Sequence, residues 1–231
     1  MEKIGLLGGM SCESTVEYYR IINEEVRKHT SPLSSAKIIL NSMNFQEIAD
    51  MQHSDKWEEL NQLMANAAAD LEYCGAKAIF ICTNLMHKTA PAIEAKVKIP
   101  LVHIADALAE KLKADGVKKI GLLGAIFTME HDFYKARLEE KHGIEMIVPE
   151  KKDRDEVSRI IYEELCCGII SSTAKEEYLK IIDKLKDNGA EAIAMACTEI
   201  PLLLKDGDAS IPLYDTTYLH AMSAVKVALG E

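Results

Sequence analysis

The sequence predicts an α/β fold of two pseudo-symmetric domains, each a parallel sheet of about four strands covered by helices. Three observations carry this prediction. Short apolar runs alternate with longer amphipathic segments along the 231 residues, as in repeated βα units. The apolar runs show no alternation of polar and apolar residues, which is typical of strands buried on both faces. The same order of segments occurs twice, so each half of the chain predicts one domain.

The first half begins with an apolar run that ends in Gly8 and Gly9. These glycines fit neither G-x-G-x-x-G nor G-x-x-x-x-G-K-[ST], so we predict close backbone packing or an anion contact at a helix start rather than a nucleotide site. Ser11 is the predicted N-cap of the helix that follows. Strands are predicted at 3–9, 36–43, 78–81 and 99–101, and helices at 11–29, 45–53, 56–73, from about 90, and at 105–114.

The second half repeats these landmarks. The hexapeptide KIGLLG at 3–8 recurs at 119–124, and Ile-Pro-Leu at 99–101 recurs at 211–213. Further strands are predicted at 145–148 and after Gly189, and helices at 156–167, at 175–187 and from about 217. The predicted domains are therefore residues 1–102 with 214–231, and residues 103–213.

Two nearly identical stretches, 75–85 and 189–199, each predict a buried strand that ends in a polar cluster. Aligning their Gly-Ala pairs places Thr83 opposite Cys197. Ligands of parallel sheets bind at the carboxyl ends of the strands. We therefore predict an active site in the interdomain cleft, with the Thr83 hydroxyl and the Cys197 thiol on its two sides.

Cys82 offers an alternative assignment, because Cys82-Thr83 is the same dipeptide as Cys197-Thr198. Aligning the two dipeptides shifts the register of the Gly-Ala pairs by one residue, and a shift of one residue moves a side chain to the other face of a strand. The register therefore favours Thr83 over Cys82. In that case Cys82 is a small buried apolar residue.

Composition disfavours several classes of protein. The net charge of −10, from 27 basic and 37 acidic residues, disfavours binding to nucleic acid or to an anionic membrane. No apolar run reaches the roughly 18 residues of a membrane span. The strand pattern begins at Lys3, so we expect no targeting peptide and a cytoplasmic protein. The six cysteines form no C-x-x-C pair and no zinc-type spacing, so we predict neither a metal site nor disulfide bonds.

The motifs of both halves resemble those of the aspartate/glutamate racemase family, whose members need no cofactor. The resemblance extends from IGLLGGMS and ESTVEYY through CTNLMHK, HIADA, TMEHDFY and IIYEEL to ACTEIPLLL. The chain is similar to a bacterial branch that is specific for aspartate and glutamate and has threonine at the first catalytic position. The resemblance implies a homodimer that removes the α-proton from one face of an acidic amino acid and returns a proton to the other, with Thr83 and Cys197 as the two acid/base residues.

The resemblance also implies roles for neighbouring residues. Those that would bind substrate are Met10, Ser11, Gln52, Asn84, Leu85, Thr198 and Glu199. Asn84 and Thr198, with backbone amides after the two catalytic positions, resemble the α-carboxylate site, and Met10, Ser11 and Gln52 match positions at the side-chain end. His87 and Glu199 follow the two polar clusters at corresponding positions and would tune or orient a catalytic group. A structural role is the alternative for His87.

The chain departs from the family pattern at three positions. Relatives often have threonine where this chain has Leu85 and Ala125, and lysine where it has Cys166. These departures leave two further hypotheses open. One is a decarboxylase or isomerase of the same superfamily that uses a single cysteine, as arylmalonate decarboxylase does. The other is an amino-acid-binding protein without catalytic activity.

Overall fold

The computed structural model describes residues 1–231, which form two compact units. The first unit is Met1–Ile104 with Thr217–Glu231, and the second is Ala105–Thr216. Each unit contains a four-stranded parallel sheet and the helices that cover it. This arrangement confirms the predicted α/β fold of two similar sheets. No helix is both long enough and apolar enough to cross a membrane.

The two sheets have the same strand order. The first is β2-β1-β3-β4 and the second is β6-β5-β7-β8. The strands are β1 (Lys3–Gly8), β2 (Lys37–Ser42), β3 (Ile79–Ile81), β4 (Leu101–Val102), β5 (Lys119–Gly124), β6 (Glu145–Ile147), β7 (Ala192–Ala196) and β8 (Leu213–Asp215). In the first sheet β1 pairs with β3 in parallel, and in the second sheet β5 pairs with β7 in parallel. The carboxyl ends of the two strands in each pair therefore lie side by side.

The helices cover both faces of the sheets. They are α1 (Cys12–His29), α2 (Phe45–His53), α3 (Trp57–Tyr73), α4 (Ala90–Lys96), α5 (Ile104–Ala114), α6 (Ile126–Glu130), α7 (Asp132–Ala136), α8 (Lys151–Glu163), α9 (Ser172–Asp187), α10 (Ile200–Leu203) and α11 (Thr216–Leu229). Short 3₁₀ turns occupy Leu85–Thr89 and Leu165–Cys167, and a π turn occupies Arg137–Lys141.

Alternation along β3 explains how the first sheet builds two cores. Ile79 and Ile81 pack on one face with apolar residues of α2, α3 and α4. Phe80 and Cys82 pack on the other face with residues of α1 and α11. Each fully buried Ile, Leu or Phe side chain stabilises the fold by about 1.5–3 kcal/mol. Cys82 is 1% exposed, so the structure confirms that it is a core residue.

Gly8 and Gly9 are required by close packing at the end of β1. A Cβ atom on Gly8 would lie 2.5 Å from Cγ2 of Thr15, and one on Gly9 would overlap the Met43 backbone. Gly9 also has a φ of 82°, which L-residues with side chains rarely adopt. The close backbone packing predicted for these glycines is confirmed.

The two Ile-Pro-Leu motifs start their strands later than predicted. β4 begins at Leu101 and β8 at Leu213, after Pro100 and Pro212. Proline cannot donate a ladder hydrogen bond. Its carbonyl can still accept one, and the Pro100 and Pro212 carbonyl oxygens accept from the N–H groups of Ile79 and Ile193, each at 2.9 Å.

The helix predicted at 156–167 was wrong at both ends. α8 begins at Lys151 and ends at Glu163, and a separate 3₁₀ turn holds Cys166 and Cys167. Gly168, with a φ of 74°, ends that turn. The charged run at the helix start masked its beginning, because the run shows no apolar periodicity.

Candidate active site

The ends of β1 and β3 are joined through the first turn of α1. Ser14 Oγ donates to the Cys82 carbonyl at 2.7 Å, and the Gly9 N–H donates to Thr15 Oγ1 at 2.8 Å. Ser11 is the N-cap of α1, as predicted, and accepts from the Ser14 N–H at 3.2 Å. Ser14 and Thr15 belong to the ESTVEYY motif, but the sequence reasoning gave neither of them this role.

We call residues 83–89, after β3, the first tip. Thr83 and Leu85 are partly buried and Asn84 is buried. Gln52 Nε2 of α2 donates to Sδ of Met86 at 3.1 Å, so Gln52 lies against the first tip rather than on an isolated surface. Met10 is buried after β1. The structure thus places Met10, Ser11, Gln52, Thr83, Asn84 and Leu85 in the first unit around the ends of β1 and β3.

Behind the first tip lies a buried array of three histidines, His87, His103 and His220, none more than 2% exposed. The rings of His87 and His103 are 4.5 Å apart, and those of His87 and His220 are 5.4 Å apart. His220 Nδ1 is 2.7 Å from the Tyr18 hydroxyl, and its Nε2 is 2.8 Å from the Val102 carbonyl oxygen. The Val102 carbonyl can only accept, so His220 carries its proton on Nε2 and accepts from Tyr18.

Burial keeps His87 and His220 in their neutral forms. Burial lowers the pKa of His220 to about 4. Burial, and then the charges of His103 and His220, hold the pKa of His87 well below its usual range. Protonation of either ring would place a charge on a fully buried side chain, which burial disfavours.

We expect the first unit to lose stability in mild acid. Because the folded pKa of His220 is about 4 and the unfolded value is 6.5, the unfolded state binds more protons between these values, so the free energy of unfolding falls as pH drops from 6.5 towards 4. The full effect of this one group is about 3 kcal/mol. Urea titrations at pH 7.5, 5.5 and 4.5, followed by the fluorescence of Trp57, measure it, since this sole tryptophan lies in the first unit.

The control for that measurement is His220→Leu, which removes the titrating group. It is expected to be less stable at pH 7.5 but to show a smaller change between pH 7.5 and 4.5. An equal pH dependence in the variant and the unchanged protein would contradict the assignment to His220.

The second tip, residues 197–199, follows β7. The Cys197 thiol donates to Oε2 of Glu199 at 2.9 Å, and the Thr198 hydroxyl donates to the same oxygen at 2.9 Å. All three residues are partly buried. The structure therefore brings Cys197, Thr198 and Glu199 together, although the sequence had paired Glu199 only by position with His87.

Glu199 and burial keep Cys197 in the thiol form. Burial is the larger cause that raises the pKa of Cys197 well above its usual range, and the negative charge of Glu199 adds to it. A hydrogen bond from the Glu199 backbone N–H acts in the opposite direction and lowers that pKa. The resting second tip is thus a thiol that donates a hydrogen bond to the side chain of Glu199.

Cys166 belongs to the neighbourhood of the second tip. Its 3₁₀ turn contacts α10, the helix that directly follows Glu199. The charge of Cys166 is one of the influences that raise the pKa of Cys197. The departure from the family pattern at Cys166 therefore lies close to Cys197. Ala125 follows β5, the strand beside β7.

One groove lies outside the two tips, and its residues do not indicate a second active site. A groove of about 860 Å³ runs along α8 and α9, and its lining residues are Lys151, Lys152, Asp153, Asp155, Glu156, Arg159, Glu177, Ile181 and Lys184. Cations and anions are balanced in this groove, and Cys197 is not part of it. No group of three or more histidine, cysteine, aspartate or glutamate side chains is arranged to hold a metal ion.

A family model and two solved structures match this chain over most of its length. A model of the Asp/Glu/hydantoin racemase family matches residues 7–224. A candidate Asp/Glu racemase from Yersinia pestis is 52% identical, with a TM-score of 0.95 over 99% of this chain and 100% of that one. An aspartate racemase homologue from Pyrococcus horikoshii is 36% identical, with a TM-score of 0.88 over 99% and 100% of the two chains.

A glutamate racemase from Hydrogenobaculum sp. strain Y04AAS1 is 30% identical over 141 residues. That match covers 58% of this chain and 50% of the relative, so the chain spans about half the length of this relative.

The placement of Thr83 and Cys197 on two sides of one cleft stays a prediction.

Proposed function

Because the chain belongs to the Asp/Glu/hydantoin racemase family, as the match over residues 7–224 shows, we propose that it is a cofactor-independent racemase of aspartate or glutamate. The observation that carries the proposal is the contact of the Cys197 thiol with Glu199 Oε2 at 2.9 Å, at the carboxyl end of β7. A thiol next to a proton acceptor is the arrangement that an acid/base cysteine needs.

The proposed reaction uses Cys197 as a base in one direction. Glu199 takes the thiol proton, and the resulting thiolate removes the α-proton of the substrate. The α-carbanion then receives a proton from the Thr83 hydroxyl on its opposite face. Water returns a proton to Thr83, and Glu199 releases its proton to the hydroxide that this leaves, so both residues regain their starting forms. In the reverse direction Thr83 has to lose its proton first, and Cys197 donates as a thiol.

The two directions of the reaction make different demands on Thr83, which acts as an acid in one direction and as a base in the other. A thiol titrates within reach of neutral pH, whereas an aliphatic hydroxyl does not, so Thr83 is a far better acid than base. We therefore infer a slow racemase whose limiting step is proton transfer at Thr83. Turnover in the two directions is still equal at equilibrium, as reversibility requires.

The residues that bind substrate in this proposal come from both tips and from their neighbours. They are Met10, Ser11, Gln52, Asn84, Leu85, Thr198 and Glu199. Asn84 and Thr198 would bind the α-carboxylate, and Met10, Ser11 and Gln52 would bind the side-chain end. His87 would orient the first tip. A cytoplasmic homodimer remains the expected form of the protein.

Exchange of the α-proton tests the proposal. Purified protein incubated in deuterium oxide with L- or D-aspartate, or with L- or D-glutamate, is expected to incorporate deuterium at Cα and to produce the opposite enantiomer. Proton NMR measures the exchange, and chiral chromatography measures the inversion. A folded protein that exchanges the α-proton of none of these substrates would show that the proposed function is wrong.

The pairing of one thiol with one hydroxyl also fits a single-cysteine decarboxylase, and this is the second candidate. In that reaction the Cys197 thiol would protonate the carbanion left when carbon dioxide departs. Release of carbon dioxide from a substituted malonate, without racemisation of an amino acid, would select this function. Binding of an acidic amino acid without either reaction would select a binding protein.

A further inference from the structure

We propose that His87 is a positioning residue that holds the Thr83 backbone in place, as a neutral imidazole with its proton on Nδ1; the inference rests on the proposed role of Thr83. His87 Nδ1 lies 2.9 Å from the Thr83 carbonyl oxygen and 3.3 Å from that of Asn84. The Ile104 N–H donates to His87 Nε2 at 3.1 Å. One side chain thus contacts both the first tip and the start of α5.

These contacts determine the tautomer. The Ile104 N–H can only donate, so Nε2 must carry the lone pair. A carbonyl oxygen can only accept, so Nδ1 must carry the proton that bonds to Thr83. A second proton on the ring would point at the Ile104 N–H, so the contact requires the neutral form. The imidazole therefore bridges a donor and an acceptor that face it from two segments of the chain.

The contact with His87 fixes Thr83 because the carbonyl group of the residue before Thr83 also has a side-chain partner. The preceding carbonyl, that of Cys82, accepts from Ser14 Oγ at 2.7 Å. Two successive peptide groups are therefore held by side chains on either side of the Thr83 side chain. A hydroxyl that delivers a proton to one face of a carbanion gains from such fixation, since misplacement by about 1 Å can lower a rate about 10²-fold.

The array is a feature of the first unit and not a requirement of the fold. The second unit has the same strand order. The positions 112 residues away from His87 and His220 are Glu199 and Leu108. Tyr134, 116 residues after Tyr18, is equally buried, but its hydroxyl has no hydrogen-bond partner. The same topology therefore forms without the histidines, which supports a specific role for them beside Thr83.

Two substitutions separate the two contacts of His87. The amide of His87→Gln reaches about as far as Nε2, so it can accept from the Ile104 N–H but leaves the Thr83 carbonyl. The shorter amide of His87→Asn lies near Nδ1, so it can donate to the Thr83 carbonyl but leaves Ile104. The matched control is His53→Gln in α2, since the exposed His53 makes a similar contact, Nδ1 to the Ala49 carbonyl at 2.7 Å.

The kinetic readout is the ratio of deuterium exchange to inversion in deuterium oxide. For the enantiomer that Cys197 deprotonates, exchange with retention needs only Cys197, whereas inversion also needs Thr83. We expect His87→Gln to lower inversion about tenfold or more while exchange with retention persists, a pattern that general loss of folded protein does not produce. We expect His87→Asn to stay within about threefold of the unchanged protein in this ratio, as His53→Gln does.

The second readout does not depend on activity. Nitrogen-15 NMR of the histidine rings at pH 6 to 8 is expected to show His87 as the neutral tautomer with the proton on Nδ1. A proton on Nε2, or titration of His87 within this range, would overturn the proposal, as would equal exchange-to-inversion ratios in both His87 variants. If the unchanged protein exchanges no α-proton, the proposed function fails, and the tautomer alone decides whether His87 holds Thr83.

Discussion

Replacing Cys197 with serine is expected to lower the rate of α-proton exchange and of racemisation by at least about 10³-fold. The serine hydroxyl can still donate to Glu199, but it loses its proton far less readily than a thiol. The second tip then holds no group that Glu199 can convert into a base. Turnover numbers for both enantiomers, measured by chiral chromatography at pH 8, test this expectation, with circular dichroism to confirm that the variant is folded.

Two control variants show whether the loss of activity is specific to Cys197. Cys74→Ser replaces an exposed thiol at the end of α3 in the first unit and is expected to leave the rate unchanged. Cys82→Ala decides between Cys82 and Thr83, because Cys82 is a core residue whose pKa is raised by burial. Retained activity is expected for Cys82→Ala. A loss as large as that of Cys197→Ser, in a folded protein, would transfer the acid/base role to Cys82.

Replacing Glu199 with glutamine is expected to change two measurements in opposite directions. Loss of the carboxylate charge removes one of the causes that raise the pKa of Cys197, so alkylation of that thiol by iodoacetamide at pH 7.5 should become faster. Loss of the proton acceptor should lower racemisation about 10²-fold or more. Mass spectrometry of the peptide that contains Cys197 measures the first effect, and chiral chromatography the second.

The matched control for Glu199→Gln is Glu191→Gln, an exposed carboxylate before β7 that accepts from the Lys118 N–H at 2.6 Å. It is expected to alter neither measurement. If Glu199→Gln slows both alkylation and racemisation, the residue supports the fold of the second tip instead of accepting a proton. If racemisation is unchanged, Glu199 is not the proton acceptor.

Much of the fold could be predicted because its signals are local. The repeated KIGLLG hexapeptides gave β1 and β5, and strand alternation placed Cys82 in the core. The limits of local signals appear at Tyr18 and Tyr19, because two adjacent tyrosines do not show which of them packs in the core. Tyr18 is fully buried, but Tyr19 is 54% exposed. Neighbouring residues on a helix point about 100° apart, so one apolar face rarely takes both.

The chemistry of the site was less accessible from the sequence, because it depends on turns and distant segments. Cys197 and Glu199 meet because the chain turns after β7, and residue spacing alone does not specify that turn. His87, His103 and His220 converge from segments far apart in the sequence, with no motif spacing to connect them. The signal that was present was positional, since His87 and Glu199 follow the two tips at corresponding places.

The separate construction of the two tips has a consequence for how such a protein changes over time. Hydrogen bonds within the first unit hold Thr83, whereas Cys197 and Glu199 contact each other in the second. Under the proposed reaction each unit serves one stereochemical face of the substrate. A substitution can therefore alter proton delivery to one face while the other keeps its chemistry. If the two halves arose by duplication, proton transfer at each face of the α-carbon could thus change independently during evolution.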